Sequence, residues 1–283
     1  MKKIIGWNEF LLESEDIKQL RYFIFDWDDN ILLMETPLHF QHFENGKWLS
    51  VDILPHEFTQ IRKKYPDNYM DNIEWKADSN SFVEFRDYGP RGANAFIEDV
   101  KKTINDKKFG PSWNVFLSAL KEGRLFAIIT TRGHEPSTIR SAVKYIIENV
   151  LTKEEKTSMI ENIKKFHEFF GVVSEDTITQ YLDECYFMGL LSKSFQDEFL
   201  YNPGSKLTQG KQDAINKFVN FVRDFAKRAK KPLKIGFSDD DTNYTNSAKE
   251  MFMKLEKSLD FSENFYVFDT SDPNLKGGVK VKI

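Results

Sequence analysis

Four short apolar segments, each followed by polar residues, limit what this chain can fold into. The segments span residues 22–25, 125–129, 233–237 and 265–268. Stretches with helical periodicity lie between them, among others at residues 113–122, 138–150, 153–170 and 211–229. Short apolar runs that alternate with amphipathic helices are typical of a parallel sheet whose two faces are covered by helices. The sequence therefore predicts an α/β fold with a three-layer, Rossmann-like arrangement, in which ligands bind beyond the carboxyl ends of the strands.

The composition narrows the classes of protein that such a fold can serve. The chain has 283 residues, of which 40% are hydrophobic, and its 40 Lys and Arg against 44 Asp and Glu give a formal charge of −4. This balance provides no general basic field for nucleic acid. The single cysteine, Cys185, excludes an intramolecular disulfide framework and suits a reducing compartment. No apolar run approaches the ~18 residues of a membrane helix, so we expect a cytoplasmic protein that does not enter the membrane.

Two insertions are predicted within a single core domain over residues 1–283. The chain between the first two apolar segments is longer than one crossover helix needs, which places an insertion at about residues 34–109. Within it, Asn45-Gly46 separates two strand-like runs, and this pattern predicts a β-hairpin that forms a flap beside the site. We expect a small cap-like segment to follow, with irregular structure and a little strand at residues 67–92. The second insertion, at about residues 151–203, has a mostly helical pattern.

Asp26 and Asp28 directly follow the first apolar segment, in the sequence Phe25-Asp26-Trp27-Asp28. Because the chain must turn away at the end of a strand, both carboxylates can point into one crevice. One carboxylate can then attack phosphorus, while the other protonates the leaving oxygen and later activates water. The same spacing also occurs in calcium loops and solvated turns, so the pair alone leaves these alternatives open.

Three further patterns supply the other groups that phosphate chemistry needs. Thr130 offers a hydroxyl for a phosphoryl oxygen, although threonine is common at strand ends for its conformational preference alone. Asp239 and Asp240 follow the third apolar segment and offer the oxygen ligands that magnesium prefers, with a solvated acidic turn as the alternative. Lys211 is predicted to open a helix, from which its ammonium group can neutralise charge on a phosphorylated intermediate, and Lys206 is the competing candidate.

In this order, the patterns resemble the four motifs of the haloacid dehalogenase-like phosphohydrolase superfamily. The resemblance implies that Asp26 is the nucleophile and that Asp28 is the general acid and base. It further implies that Thr130 binds phosphate and that Lys211 stabilises charge. The magnesium ligands that it implies are Asp26, Asp239, Asp240 and the backbone carbonyl of Asp28.

The chain departs from the family in the residues after the second aspartate. The family usually has Gly-Thr there, whereas this chain has Asp29 and Asn30. Asn30 can still form hydrogen bonds, so we interpret the change as tolerated. The expected contacts with the substrate are made by Thr130, Thr131, Arg132 and Asn30.

The function that the resemblance implies is magnesium-dependent hydrolysis of a small phosphomonoester, with transfer to an acceptor other than water left open. Asp28 disfavours dehalogenation, because the dehalogenases of the superfamily lack the second aspartate of the first motif. A polynucleotide end-phosphatase becomes credible if the basic residues at 223–234 lie beside the acidic crevice. The other alternative is a non-catalytic binding or structural protein. Residues 7–13 resemble head-targeting segments of internal proteins in large tailed phages, although an ordinary N-terminal helix that docks on the core accounts for them better.

Overall fold

The computed structural model describes residues 20–65, 67–168, 177–200, 206–256 and 263–283. The strands in these ranges are β1 (Leu20–Phe25), β2 (Leu38–Glu44), β3 (Lys47–Ile53), β4 (Trp75–Ala77), β5 (Phe126–Thr130), β6 (Tyr186–Gly189), β7 (Leu233–Asp239), β8 (Glu263–Asp269) and β9 (Val279–Lys282). The α-helices are α1 (Pro55–Lys64), α2 (Ala95–Asn105), α3 (Trp113–Lys121), α4 (Pro136–Asn149), α5 (Lys153–Glu168), α6 (Thr177–Glu184), α7 (Lys193–Phe199), α8 (Leu207–Ala229) and α9 (Thr242–Glu256).

Six of the strands form one sheet, in the order β6-β5-β1-β7-β8-β9. Neighbouring strands run parallel except for β8 and β9, which are antiparallel. Each of the four predicted apolar segments lies on one of these strands, namely β1, β5, β7 or β8. The predicted α/β fold with a mostly parallel sheet is therefore confirmed, whereas β6 and β9 were not predicted and make the sheet larger and mixed.

Helices cover both faces of this sheet. Tyr22 and Phe25 of β1 point to opposite faces, because side chains alternate along a strand. Tyr22 meets Phe218 of α8, with ring centroids 6.4 Å apart, whereas Phe25 meets Phe116 of α3 at 5.5 Å. Helices α8 and α9 pack together on the first face, and α2 to α6 pack on one another on the second. This double cover explains why β5 is buried at all five residues and why its sequence is a continuous apolar run.

The predicted hairpin is formed by β2 and β3 and is joined by β4 in a separate three-stranded sheet. Its turn residues Asn45 and Gly46 have φ values of 51° and 76°, the left-handed conformation that a two-residue hairpin turn requires. Helix α1 covers one face of the small sheet, where Phe58 lies 5.5 Å from Phe40 between ring centroids. Beyond α1 the chain has mainly turns, with β4 and one turn of 3-10 helix at Val83–Phe85, as predicted. We use the name inserted segment for residues 34–109.

The region at residues 151–203 is mostly helical where the structure describes it, as predicted. It also contains β6, which pairs in parallel with β5 and extends the main sheet. Helix α5 is described as far as Glu168, so the last two residues of the helix predicted at 153–170 lie outside the described residues. The N-terminal segment at residues 7–13 lies outside them as well. None of the described helices has the length and apolar character that crossing a membrane would require.

Candidate active site

The site lies at the carboxyl ends of the parallel strands of the main sheet, where β1, β5 and β7 end side by side. Asp26 directly follows β1, Thr130 is the last residue of β5 and Asp239 is the last residue of β7. The backbone N–H of Asp26 donates to the carbonyl of Ser238 at 3.0 Å, which fixes β1 against β7 at the first carboxylate. Parallel strands with this order bring residues more than 200 positions apart to one crevice.

Lys211 joins two of the carboxylates. Its Nζ lies 2.6 Å from Oδ1 of Asp26 and 2.5 Å from Oδ2 of Asp239, and the lysine is only 2% exposed. Its ammonium group also faces the ring of Tyr244, with Nζ 4.3 Å from the centroid. The helix begins at Leu207, one turn earlier than predicted, so Lys211 lies in the second turn of α8 rather than at its start. Lys206 is exposed at the N-cap, and the structure therefore assigns the buried position to Lys211.

Asp240 completes an acidic cluster. One carboxylate oxygen from each of Asp26, Asp239 and Asp240 lies within 4.8 Å of the others, close enough for all three to bind one metal ion. All three donors are hard oxygen ligands, which suit Mg²⁺. The ammonium group of Lys211 offsets one of the three negative charges, so the donor set has the chemistry and the excess charge that a divalent cation fits.

Burial and crowding disfavour the ionised carboxylates of this cluster. Burial raises the pKa of Asp26 well above its ordinary value; Lys211 opposes this shift, and the neighbouring carboxylates of Asp239 and Asp28 add to it. Asp240 is shifted in the same direction, by burial first and by Asp239 and Asp26 next. Burial lowers the pKa of Lys211, but Asp239 and Asp26 reverse this and raise it above its ordinary value. A bound cation would remove much of this repulsion.

Asp28 lies next to this cluster but is held by a different cation. Arg132 donates from Nε to Oδ2 of Asp28 and from Nη2 to Oδ1, both at 2.7 Å. The arginine side chain is 0% exposed and packs against the rings of Phe85 and Phe96, 4.2 and 5.1 Å from their centroids. The guanidinium therefore binds Asp28 in this structure, and the predicted contact of Arg132 with the substrate stays a prediction.

Asn30 lies at the centre of a hydrogen-bond network between β1 and β7. Its Nδ2 donates to the carbonyls of Asp26 and Ser238 at 3.0 and 3.1 Å and to the Ser238 hydroxyl at 3.0 Å. Its Oδ1 accepts from the hydroxyls of Ser112 at 2.7 Å and Thr270 at 2.9 Å. The side chain is completely buried, and these bonds use its donors and its acceptor. Asn30 therefore links the ends of β1 and β7, and its predicted contact with the substrate stays a prediction.

Asp29 has a left-handed backbone conformation, at the position where the resembled motif has glycine. Its φ is 54°, in the left-handed region that glycine adopts freely and that Asp tolerates better than most residues. Burial, followed by the neighbouring Asp28 carboxylate, raises the pKa of Asp29 to about 7. The chain thus has an acidic side chain where the resembled motif has none.

Thr130 and Thr131 border the cluster from the β5 side. Thr130 is 1% exposed, and its Oγ1 accepts a long hydrogen bond from the backbone N–H of Arg132 at 3.3 Å. Among the described residues no acceptor is found for the hydroxyl proton of Thr130, and its role as a phosphate contact stays a prediction. Thr131 is half-buried at the start of the following loop, and its role as a substrate contact stays a prediction.

The inserted segment contacts the site edge at two places that the sequence did not reveal. On the β7 side, Nη2 of Arg62 in α1 lies 2.7 Å from Oδ2 of Asp241, directly after the acidic pair. On the β5 side, the backbone N–H of Gly133 donates to the carbonyl of Phe85 at 2.8 Å. Between these contacts Asp26 is only 6% exposed. Arg62 is one of three consecutive basic residues in the last turn of α1, and nothing in that pattern signals which of them pairs with Asp241.

The basic residues at 223–234 lie towards the amino-terminal end of β7, whereas the site lies at its carboxyl end. They occupy the end of α8, the loop that follows and the start of β7 at Leu233. The seven residues of β7 separate this region from Asp239 by about 20 Å. The condition under which a polynucleotide end-phosphatase becomes credible, namely basic residues beside the acidic crevice, is therefore not met.

The predicted site residues fall into three groups. Asp26, Lys211, Asp239 and Asp240 form one cluster, Asp28 and the two threonines border it, and Asn30 and Arg132 are buried supports.

Comparison of the chain with protein-family models, with curated proteins and with solved structures found no match.

Proposed function

We propose that this chain is a magnesium-dependent phosphohydrolase of the haloacid dehalogenase-like type, which hydrolyses phosphomonoesters through a phosphoryl group carried on Asp26. The observation that carries the proposal is the buried ammonium group of Lys211, 2.6 Å from Asp26 and 2.5 Å from Asp239 at the edge where β1 and β7 end. A buried lysine between carboxylates that also form a metal-binding cluster is suited to a phosphoryl group, which needs a nucleophile and positive charge at one place.

Asp26, Asp239 and Asp240 would hold the magnesium ion, together with the backbone carbonyl of Asp28 that the family resemblance implies. When bound, Mg²⁺ would neutralise charge on the phosphoryl oxygens. Lys211 would do the same from the side of α8, and the hydroxyl of Thr130 would donate to a phosphoryl oxygen from the side of β5.

In the first step, a carboxylate oxygen of Asp26 attacks phosphorus and the bond from phosphorus to the ester oxygen breaks. The leaving oxygen takes a proton from the carboxyl group of Asp28 and departs as an alcohol. In the second step, the carboxylate of Asp28 accepts a proton from water, and the resulting hydroxide oxygen bonds to phosphorus. The bond between phosphorus and Asp26 then breaks, which releases inorganic phosphate and regenerates both side chains.

A small substrate suits the site better than a polymer. Asp26 is only 6% exposed, so a long chain has little room to approach the nucleophile. The basic residues that would attract nucleic acid lie about 20 Å from the site. Both observations favour a small phosphorylated molecule.

The experiment that tests the proposal is a magnesium-dependent screen with sugar phosphates, nucleotides, 4-nitrophenyl phosphate and oligonucleotides phosphorylated at either end. Wild-type protein should release phosphate from at least one small ester, and EDTA should stop the reaction. Asp26→Asn should abolish turnover while leaving the circular dichroism spectrum unchanged, whereas Asp67→Asn, on an exposed aspartate of the inserted segment, should retain it. Normal turnover by Asp26→Asn would reject the proposal.

A further inference from the structure

Arg132 binds Asp28 through two hydrogen bonds that fix both the position and the orientation of the carboxylate. Two parallel hydrogen bonds of 2.7 Å join the guanidinium to the two carboxylate oxygens. Such a fork is specific for the plane of the carboxylate, whereas a lysine ammonium can fix only a point. The orientation of Asp28 in this structure is thus set by a residue 104 positions away.

The guanidinium is itself held from the side of the inserted segment. Nη2 also donates to Oγ1 of Thr36 at 2.9 Å, and the Thr36 hydroxyl donates to Oδ2 of Asp99 at 2.7 Å. Arg91 binds both carboxylate oxygens of Asp99 at 2.7 Å and reaches Glu84 from Nε at 2.9 Å. A continuous chain of hydrogen bonds and ion pairs therefore runs from Asp28 into the inserted segment, as far as α2 and Glu84.

Fold stability alone does not account for this arrangement. A buried ion pair contributes little net stability, because the loss of hydration offsets most of the attraction between the charges. What a buried, forked and stacked guanidinium does provide is a single orientation of its partner. This matters most for a group that must transfer a proton, since a small misplacement reduces the rate of transfer strongly.

We infer that Arg132 is a positioning residue for Asp28, and that Thr36 supports it. The inference rests on the proposed function, in which Asp28 moves the proton. Arg132 acts through Asp28 and not on the substrate. The competing reading is a direct contact from Nη1, a buried nitrogen for which the described residues offer no hydrogen-bond partner.

A double-mutant cycle separates these two readings. The four proteins are the wild type, Arg132→Lys, Asp28→Asn and the double variant, each assayed with magnesium on 4-nitrophenyl phosphate and on phenyl phosphate. Arg132→Lys keeps the charge but loses the fork, so kcat should fall about 10- to 100-fold with KM nearly unchanged. The loss should be larger for phenyl phosphate, whose more basic leaving group depends more on the proton. The double variant should be no slower than Asp28→Asn alone.

Thr36→Val provides a milder test that retains Arg132. It removes the hydroxyl that links Nη2 to Asp99 and should lower kcat several-fold, again more for phenyl phosphate. Thr103→Val is the matched control, because Thr103 is an equally buried threonine of the same region whose hydroxyl donates only to the sulfur of Met34, at 3.7 Å. This control should keep the wild-type kcat.

The outcomes distinguish the inference from the proposed function. If wild-type protein is active and Asp26→Asn is not, additive losses in the cycle would assign Arg132 to the substrate and overturn the inference alone. Equal losses on the two esters, or full activity of Arg132→Lys and Thr36→Val, would overturn it as well. A wild-type protein without phosphatase activity would overturn both. Circular dichroism of each variant confirms folding, and Thr36→Val decides the question if Arg132→Lys does not fold.

Discussion

Two buried cations lie at the same sheet edge, and they hold carboxylates in different ways. Lys211 sits among three carboxylates, those of Asp26, Asp239 and Asp240, so one positive charge faces three negative ones. Arg132 binds both oxygens of one carboxylate, that of Asp28, so the two charges cancel. The first group has an excess of negative charge that a cation can relieve, and the second has none. This difference supports the proposals that the lysine cluster would receive the metal and the phosphoryl group and that the arginine pair positions Asp28.

The largest effect that distinguishes the two cations is expected for Lys211→Ala. Loss of the ammonium group leaves the acidic cluster without its counter-ion, so kcat should fall by about 100- to 1000-fold. The free energy of unfolding without metal should fall by roughly 3–5 kcal/mol, as for other buried pairs that lose one partner. Urea unfolding and steady-state kinetics measure the two quantities.

Magnesium should restore part of the stability of Lys211→Ala, because a bound cation replaces the missing positive charge. Lys206→Ala is the control, since Lys206 is the exposed N-cap residue of the same helix. If both lysine variants behave like the wild type, Lys211 has no special role in the cluster.

The second prediction concerns the metal and compares two neighbouring aspartates. Asp240→Asn removes one oxygen donor of the cluster, so the magnesium concentration for half-maximal activity should rise by at least about 10-fold. Asp241→Asn should raise it far less, because the carboxylate of Asp241 pairs with Arg62 instead. Titration of activity with MgCl₂ provides the measurement. Equal shifts in the two variants would contradict the assignment of Asp240 as the ligand.

The surroundings of Arg132 should exclude a further positive charge, and this gives a prediction about pH. Burial first, then the guanidinium groups of Arg132 and Arg91, lowers the pKa of His134 from its usual 6.5 to about 2. His134 therefore stays neutral in the folded protein but takes up a proton in the unfolded chain below pH 6.5. Its contribution to stability is present above this pH and is lost as the pH falls. Between pH 7 and pH 5 the loss should be about 2 kcal/mol.

The pH prediction is tested with His134→Phe, which keeps the ring stacked on Phe96, now 4.4 Å away between centroids. The stability of this variant should fall between pH 7 and pH 5 by about 2 kcal/mol less than that of the wild type. His56→Phe, on an exposed histidine of α1, controls for the loss of an imidazole. An unchanged pH slope in His134→Phe would show that His134 can be protonated beside Arg132.

The sequence predicted the lysine cluster but not the arginine pair, and the reason is physical. Asp26, Asp239 and Asp240 each follow an apolar run, so the signal for a carboxylate at a strand end is local. The pairing of Arg132 with Asp28 depends instead on side chains 104 positions apart, and both residues also fit other roles. The lysine cluster follows from the order of the strands, whereas the pair of Arg132 and Asp28 follows from side-chain packing.

The same distinction explains the errors in the fold. Strands β1, β5 and β7 were predicted because burial on both faces demands an apolar run. Strand β6 has four residues and ends in glycine, and β9 has the sequence Val-Lys-Val-Lys and is mostly exposed at the sheet edge. Neither gives a pattern long enough to distinguish from a loop. Pairing with an existing neighbour defines such strands.

The smallest effect is expected for a third ion pair, between Arg62 and Asp241. Its side chains are 31% and 13% exposed, so solvent and salt screen the attraction between Arg62 and Asp241. The ion pairs of Lys211 and Arg132 are more deeply buried and are screened less. Arg62→Gln should lower the free energy of unfolding by less than about 1 kcal/mol, and 1 M salt should remove the difference. Urea unfolding at two salt concentrations measures this. A decrease in the free energy of unfolding as large as that expected for Lys211→Ala would show that Arg62 and Asp241 behave like a buried ion pair. A change in kcat/KM without a change in the free energy of unfolding would have a different meaning. It would show that the contact between Arg62 of α1 and Asp241 governs access to Asp26 from the β7 side of the site.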